Sequence, residues 1–219
     1  MSRGLFISFE GSEGCGKSTQ IQLLHNQIVD NGFPCSLTRE PGGTPLSESI
    51  RHLLKFAPEG ENMVPEAELL LFAASRAQLV REVLIPWLES GTHILADRFL
   101  DSTVVYQGIG RGLDMDLIRS INSLAVGECM PDLTILLDMD AKTALDRARQ
   151  QTQADLFQDQ VDRMEKEQLS FYERVRNGYL KLANEQKERF VVIDASNSVD
   201  SINSEIWQHI NSRFDGFSS

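Results

Sequence analysis

Cysteine is scarce in this sequence, and long apolar runs are missing. The cysteines, Cys15, Cys35 and Cys129, are odd in number and form no C-x-x-C motif. This pattern disfavours a disulfide framework or a zinc site and suits a reducing compartment. No stretch reaches the roughly 18 apolar residues that a membrane-spanning helix needs, and the first residues lack the apolar segment of a secretory signal. We therefore expect a soluble, cytoplasmic protein that does not associate with membranes.

Positive charge is also in short supply. The 219 residues include 21 Lys and Arg against 32 Asp and Glu, which gives a formal net charge of −11 at pH 7. Nucleic-acid polymers and anionic membranes bind surfaces with an excess of basic residues, so the balance disfavours both as partners. An anionic ligand would need basic residues concentrated at one site. The hydrophobic share of 41% and the length are typical of one globular domain, which we place at residues 1–219.

The most informative stretch is residues 11–19, Gly-Ser-Glu-Gly-Cys-Gly-Lys-Ser-Thr, which match the phosphate-loop pattern G-x-x-x-x-G-K-[ST]. Glycine allows consecutive backbone N–H groups to turn towards an anion, and a helix expected from about Lys17 adds the N–H groups of its first turn. Lys17 would reach the outer phosphates, and the Ser18 hydroxyl would ligate Mg²⁺. A strand-like apolar run at 5–9 precedes the loop, which favours a phosphate site over an ordinary glycine-rich turn.

Apolar runs typical of buried strands alternate with longer amphipathic segments. The strand-like runs are residues 5–9, 35–38, 93–96, 133–138 and 190–194. The helical patterns cover about 17–31, 45–56, 65–90, 113–127, 141–151, 160–187 and 199–213. This alternation predicts an α/β protein of the P-loop NTPase fold, with a five-stranded parallel sheet and helices on both faces. Ligands should gather at the carboxyl ends of the strands.

Charged residues follow two of the predicted strands. Asp97 and Arg98 come directly after the third strand. A carboxylate there could hold Mg²⁺ through water, opposite Ser18. An isolated charge on Arg98 beside a buried strand would cost free energy unless it paired with a phosphate or a carboxylate. The Gly- and Pro-rich segment 38–44 after the second strand is either a plain turn or a loop that brings Arg39 to a ligand.

Other basic residues are ambiguous from spacing alone. Phe72 and Arg76 are four residues apart on a helical pattern, which favours a core Phe with a snorkelling Arg beside it, and Arg51 reads as a surface charge. Residues 141–168 hold few large apolar residues and predict a mobile, solvated flap. Arg147 and Arg149 on this flap could be transient arginine fingers or plain surface charge.

Several stretches together resemble the bacterial thymidylate kinases, of the nucleoside monophosphate kinase type. The matching stretches are Phe9-Glu10-Gly11 with the phosphate loop, residues 38–43 and 71–76, Asp97-Arg98-Phe99, Ser102-Thr103, Tyr106-Gln107-Gly108, residues 131–134 and residues 162–165. The resemblance implies transfer of the γ-phosphoryl group of ATP to dTMP with Mg²⁺, giving dTDP for dTTP synthesis. It also implies a homodimer and a mobile lid at about residues 147–163.

The resemblance further implies which residues form the sites. ATP would lie on Gly11, Ser12, Glu13, Gly14, Cys15, Gly16, Lys17, Ser18 and Thr19. The dTMP site would use Glu13, Arg39, Arg51, Phe72, Arg76, Arg98, Thr103, Tyr106 and Gln107. The catalytic residues would be Lys17, Arg98, Arg147 and Arg149, and the metal would be held by Ser18 and Asp97.

Within the dTMP site the resemblance implies distinct roles. Phe72 would stack on the thymine ring, and Arg76 and Thr103 would bond to its edge. The acceptor phosphate would lie among Arg39, Arg51 and Arg98, and the sugar 3′-hydroxyl would donate to Glu13. Tyr106, with Gln107 beside it, would crowd the position of a 2′-hydroxyl.

The sequence departs from the family pattern in three places. Some members carry an arginine inside the phosphate loop, where this chain has Gly14 and Cys15. It is similar to the type that supplies this charge from the lid, through Arg147 and Arg149. A Gln-rich spacer separates these arginines from Asp162. Phe99 occupies a position where Tyr or His is commoner in the family, so the polar group at the end of that side chain is missing here.

Two alternative functions differ in class. Another nucleoside or nucleotide kinase of the same fold would share most of these features. A P-loop switch or partition ATPase, which acts by binding a partner, is less favoured. The chain has no Asn-Lys-x-Asp guanine signature, and Ser12 stands where partition ATPases place a second lysine.

Overall fold

The computed structural model describes residues 3–60, 62–154 and 167–214. Its strands are β1 (Phe6–Glu10), β2 (Cys35–Arg39), β3 (His93–Asp97), β4 (Leu133–Asp138) and β5 (Phe190–Asp194). They form one five-stranded sheet in the order β2-β3-β1-β4-β5, and every neighbouring pair is parallel. The predicted parallel α/β sheet is confirmed.

The helices fall close to the predicted segments. They are α1 (Lys17–Asp30), α2 (Pro45–Lys55), α3 (Pro65–Leu79), α4 (Ile85–Glu89), α5 (Leu100–Thr103), α6 (Met115–Val126), α7 (Ala141–Ala154), α8 (Leu169–Glu185) and α9 (Val199–Arg213). A π-helical turn, Val80–Leu84, joins α3 to α4, and a second π-helical segment, Val104–Gly110, continues α5. The helical run over residues 100–110 was not predicted from the sequence.

The strands are covered on both faces. Ile7 and Phe9 of β1 pack in the core layer that includes residues of α1 and α9, whereas Phe6 belongs to the layer on the opposite face. Because successive strand side chains alternate in direction, Glu10 points to the same side as Phe6. A buried carboxylate at the end of β1 therefore faces α8 rather than α1.

Strand register brings the predicted site residues to one edge of the sheet. Phe9 lies opposite Asp97, and Asp97 lies opposite Arg39 on the other side. The phosphate loop, Arg98 and the loop after β2 therefore emerge side by side, as expected for the carboxyl ends of parallel strands. Within the described ranges, no helix is both long and apolar enough to cross a membrane.

Candidate active site

The phosphate loop takes a backbone path that requires glycine. Gly11, Gly14 and Gly16 have φ angles of 133°, 76° and 92°, a region that other residues rarely adopt. A Cβ on Gly14 would lie 2.2 Å from the carbonyl oxygen of Ala144, so the loop also packs tightly against α7. Gly16 immediately precedes the first turn of α1. These features fit a loop that presents backbone N–H groups to phosphate.

Lys17 lies over this loop. Its ammonium group donates to the carbonyl oxygens of Ser12 at 2.8 Å and Gly11 at 3.3 Å, and the residue is buried. The loop therefore holds a positive charge in a site largely shielded from water. A phosphate oxygen that competed for these hydrogen bonds would meet a full charge rather than a neutral donor, which makes a stronger bond.

Ser18 and Asp97 come together as the sequence predicted. The Ser18 hydroxyl donates to Asp97 Oδ2 at 3.2 Å, so two hard oxygen ligands lie side by side at the mouth of the loop. Among the described residues, no group of three or more His, Cys, Asp or Glu side chains could hold a metal on its own. The donor set fits Mg²⁺, which proteins bind through one or two side-chain oxygens together with substrate phosphates and water.

Arg98 occupies the bottom of the neighbouring cleft in a left-handed conformation. Its φ is 72°, which is strained for a residue with a Cβ. Its guanidinium donates to Glu13 Oε1 at 3.0 Å and lies over the Tyr106 ring at 5.2 Å. The positive charge of Arg98 holds the pKa of the Glu13 carboxyl far below its usual range. Glu13 is thus a carboxylate at any working pH and can accept a hydrogen bond from a ligand hydroxyl.

One cleft brings six of the predicted dTMP residues together. It is lined by Glu13, Phe72, Arg98, Thr103, Tyr106 and Gln107, and also by Glu40, Pro41, Lys55 and Ser102. The Thr103 and Tyr106 hydroxyls are buried and have no hydrogen-bond partner within the part of the chain that the structure describes. Because an unpaired buried hydroxyl costs about 1–3 kcal/mol, these groups favour a ligand that supplies polar partners.

Arg76 does not snorkel, and the interpretation from spacing alone is wrong. The residue is 1% exposed, and its Nε donates to Glu40 Oε2 at 2.8 Å while Nη1 donates to Asn122 Oδ1 at 2.9 Å. Burial raises the pKa of Glu40 to about 7, although the charge of Arg76 opposes the rise. Arg76 therefore lies behind the cleft wall as half of a buried pair, one helical turn from Phe72.

The other predicted arginines point elsewhere. Arg39 is exposed and pairs with Glu48 at 3.1 Å, and Arg51 donates to the carbonyl oxygen of Pro41 at 2.9 Å. Neither lines the cleft, although Pro41 does. Both border the cleft through the loop after β2, and their contact with an acceptor phosphate stays a prediction.

The predicted lid is only partly described. Arg147 and Arg149 lie on α7, and both are exposed. Residues 147–154 are helical, whereas residues 155–163 of the predicted lid fall outside the described ranges. Since Gly14 contacts α7, the helix that carries both arginines adjoins the phosphate loop.

Several polar residues of the site were missed from the sequence. Glu10 and Tyr179, both buried, form a hydrogen-bonded cluster with Ser102 beside Arg98. Glu68 accepts from Gln107 Nε2 at 2.7 Å. Glu10 offered a signal, because a carboxylate ends an apolar strand directly before Gly11. Tyr179 offered none, since it lies on an ordinary amphipathic helix far along the chain.

Comparison with known proteins agrees with this geometry. The family model described as thymidylate kinase matches residues 9–206. A thymidylate kinase of Halothermothrix orenii is 46% identical over 209 residues, covering 95% of this chain and 97% of that protein, and one of Geobacter sp. strain M21 is 48% identical over 196 residues, covering 90% and 86%. The crystal structure of thymidylate kinase from Ehrlichia chaffeensis has a TM-score of 0.74 at 31% identity and covers 95% of this chain and 99% of that one. This chain belongs to the thymidylate kinase family.

Proposed function

We propose that this protein transfers the γ-phosphoryl group of ATP to dTMP, forming dTDP for dTTP synthesis. The observation that carries the proposal is the cleft beside the phosphate loop, where Phe72 lies at the wall and the Thr103 and Tyr106 hydroxyls lack partners among the described residues. A flat, polar-edged base suits an aromatic wall with hydroxyls around it. Production of dTDP from dTMP and ATP by the purified protein tests the proposal. The three cysteines are free thiols, which fits an enzyme of the reducing cytoplasm.

The chemistry asks mainly for alignment and positive charge. Phosphoryl transfer involves little covalent work by the protein, so rate comes from holding donor and acceptor in line and from neutralising the transferring oxygens. ATP phosphates lie on the loop of residues 11–19 with Lys17 on their outer oxygens, and Arg98 holds the acceptor phosphate with Arg39 and Arg51. Ser18 and Asp97 would hold Mg²⁺, which would supply positive charge to the phosphates. Glu13 accepts from the 3′-hydroxyl, and Phe72 stacks on thymine. Thr103 and Gln107 complete the pocket, and Arg76 supports its wall from behind through the pair with Glu40.

The lid arginines supply the charge that the loop lacks at Gly14 and Cys15. Arg147→Ala and Arg149→Ala are compared. The variant that loses the arginine in contact with the transferring phosphoryl group is expected to have a kcat for dTMP lowered by more than tenfold, with a small change in KM for dTMP. Steady-state kinetics measure the split. Lys142→Ala is the matched control, because Lys142 is an exposed cation on the same helix. A raised KM at unchanged kcat would instead put that arginine in the acceptor site.

Tyr106 sets the preference for deoxyribose. Its ring is buried against Phe171 and Tyr179, with centroids 6.0 and 6.3 Å away, so it cannot easily move aside for a 2′-hydroxyl. Tyr106→Ala is expected to raise kcat/KM for ribothymidine monophosphate relative to dTMP by about tenfold or more, since a steric block is removed. Tyr106→Phe keeps the ring and should keep the preference. An unchanged ratio in the Ala variant would count against the steric role.

A homodimer is the proposed assembly. On α6, Leu117 and Leu124 are seven residues apart and thus share a face, and both are exposed, Leu124 at 78%. Leu70 of α3, a helix in contact with α6, is exposed as well. Exposed leucines on neighbouring helices mark a protein–protein contact, and a second copy is the partner. Light scattering should give the mass of a dimer for the wild type and a monomer for Leu124→Asp, while Val29→Asp on α1 stays dimeric. A monomeric wild type at assay concentration would refute the assembly.

A further inference from the structure

Arg98 is held in its strained conformation by contacts that do not belong to the substrate cleft. The residue after it, Phe99, donates its backbone N–H to Glu10 Oε1 at 2.8 Å, and the Arg98 N–H donates to the carbonyl oxygen of Phe9 at 2.9 Å. The end of β1 therefore binds the backbone on both sides of Arg98. A left-handed non-glycine residue persists only where its surroundings fix it.

The same carboxylate controls the side chain of Arg98. The hydroxyls of Ser102 and Tyr179 both donate to Glu10 Oε2 at 2.7 Å, and Arg98 Nη1 donates to these two hydroxyl oxygens at 3.2 and 3.3 Å. Glu10 is fully buried and Tyr179 almost so. Burial raises the pKa of Glu10 and nearby Asp101 adds to the rise, whereas Arg98 and the two hydroxyls favour the carboxylate.

Glu10 Oε2 favours one direction for the hydroxyl protons. The Ser102 and Tyr179 hydroxyl oxygens also lie 2.9 Å apart, and either can donate to the other. When both protons point to Glu10 Oε2, the oxygen lone pairs face Arg98. With an N–H donor in place of Oε2, at least one hydroxyl proton would have to turn away from position 10, where it would compete with acceptance from a guanidinium that can only donate. An acceptor oxygen at this position thus favours the orientation in which Ser102 and Tyr179 accept from Arg98.

Close packing of α8 brings Tyr179 within reach. The neighbouring residue, Gly178, is buried, and a Cβ there would lie 2.8 Å from Ile109 Cδ1 on the π-helical segment. The hydroxyl of Tyr179, on α8, contacts both Glu10 at the end of β1 and Ser102 on α5. Arg98 and Ser102 line the cleft, while Glu10 and Tyr179 lie behind them.

We propose that Glu10 and Tyr179 are positioning residues for dTMP phosphorylation, which act by holding the Arg98 guanidinium at the acceptor phosphate. The inference rests on the role proposed above for Arg98. Neither residue lines the cleft. Their contribution is to fix the geometry of a cation that must be in place before transfer, and small displacements of such a group reduce rate strongly.

Conservative variants separate positioning from packing. Tyr179→Phe keeps the ring and removes only the hydroxyl, and Glu10→Gln keeps an oxygen for the Phe99 N–H, which forces its NH₂ towards the two hydroxyls. Each variant is expected to lower kcat/KM for dTMP about tenfold, as for loss of a hydrogen bond to a charged group, with little change in KM for ATP. Tyr172→Phe on the same helix is the control, because it likewise removes one hydroxyl from a buried ring but at a residue that lies outside the lining of the cleft. It should keep wild-type kinetics.

A double-mutant cycle with Arg98 decides between a positioning and a structural role. In an Arg98→Met background, Tyr179→Phe should cause no further loss of kcat/KM, because its only route to the reaction is absent. The inference would be overturned if Tyr179→Phe lowered kcat/KM by the same factor in both backgrounds, or did not lower it in the wild-type background. Either result would leave the proposed dTMP kinase activity intact. An Arg98→Met enzyme with full activity would overturn it together with the role of Arg98, and a wild type that does not phosphorylate dTMP would overturn the proposed function as well. Calorimetric melting of each variant checks that it folds.

Discussion

Replacing Lys17 by Met is expected to lower kcat for dTMP phosphorylation by about a thousandfold, comparable with removal of a main electrostatic contact to a transition state. Lys17 is buried and its ammonium group bonds to the carbonyl oxygens of Gly11 and Ser12. Met keeps the apolar part of the side chain and removes the charge. The oxygens of the transferring group then lose a cation in a site where water is largely excluded.

Stability should change little in the same variant. Removing the charge relieves its desolvation cost, but it also removes the hydrogen bonds to the carbonyl oxygens of Gly11 and Ser12. Thermal unfolding without nucleotide measures this. Lys181→Met, an exposed lysine on α8, serves as the control and should retain wild-type kcat. A Lys17→Met enzyme within about threefold of wild-type kcat would remove Lys17 from the mechanism.

Replacing Arg76 by Met is expected to destabilise the fold by about 3–5 kcal/mol at pH 8, as for a buried ion pair that loses one partner. Glu40 would then be a buried carboxylate without its cation, at a position that also lines the cleft beside the phosphate loop. Affinity for dTMP should fall in parallel, because the loop after β2 and the wall beside Phe72 both depend on this pair.

The pKa of Glu40 gives this prediction a pH signature. In the folded wild type it is raised by burial to about 7 from an ordinary 4.5, so the folded state binds the proton more readily than the unfolded chain. The free energy of unfolding therefore falls as pH rises through this window. Without Arg76 the Glu40 pKa rises further, so the loss in Arg76→Met should be smaller at pH 5.5 than at pH 8.

Urea denaturation at the two pH values measures the difference. Adding Glu40→Gln to Arg76→Met should restore part of the lost stability at pH 8, because the unpaired charge is gone. Equal losses at pH 5.5 and pH 8, with no recovery in the double variant, would show that the pair does not account for the stability of this wall.

The sheet was predictable because of where its strands lie. Strands covered on both faces, such as β1 and β4, contain nearly continuous apolar residues, and this pattern is typical of a parallel sheet buried between helices. The segment 100–110 was harder, since Val104, Val105 and two glycines give no helical period. Its helical conformation depends on contacts with α6 and α8, which sequence periodicity does not record.

The helix predicted over residues 65–90 contains a backbone irregularity that the sequence pattern does not indicate. A proline such as Pro86 ordinarily kinks or ends a helix. Instead the chain stays helical through Pro86, which lies in the first turn of α4 directly after the π-helical turn Val80–Leu84. A π-helical turn removes the ordinary hydrogen-bond register, so a residue without an N–H fits there.

The site was predictable where local motifs form it and obscure where distant residues meet. Lys17, Ser18 and Asp97 followed from a loop pattern and a strand end. Arg76 was misjudged from its spacing because its partners, Glu40 and Asn122, are 36 and 46 residues away. Glu10 and Tyr179 are separated by 169 residues, and no local pattern links them.

The most direct test is a coupled assay of ADP formation with ATP, Mg²⁺ and one nucleoside monophosphate at a time: dTMP, dUMP, dCMP or dAMP. The highest kcat/KM is expected for dTMP, and Lys17→Met is expected to lose that activity. Equal turnover of all four nucleotides, or faster turnover of another one, would indicate a different nucleotide kinase. Slow ATP hydrolysis that none of the four stimulates would favour a switch ATPase and contradict the proposed function.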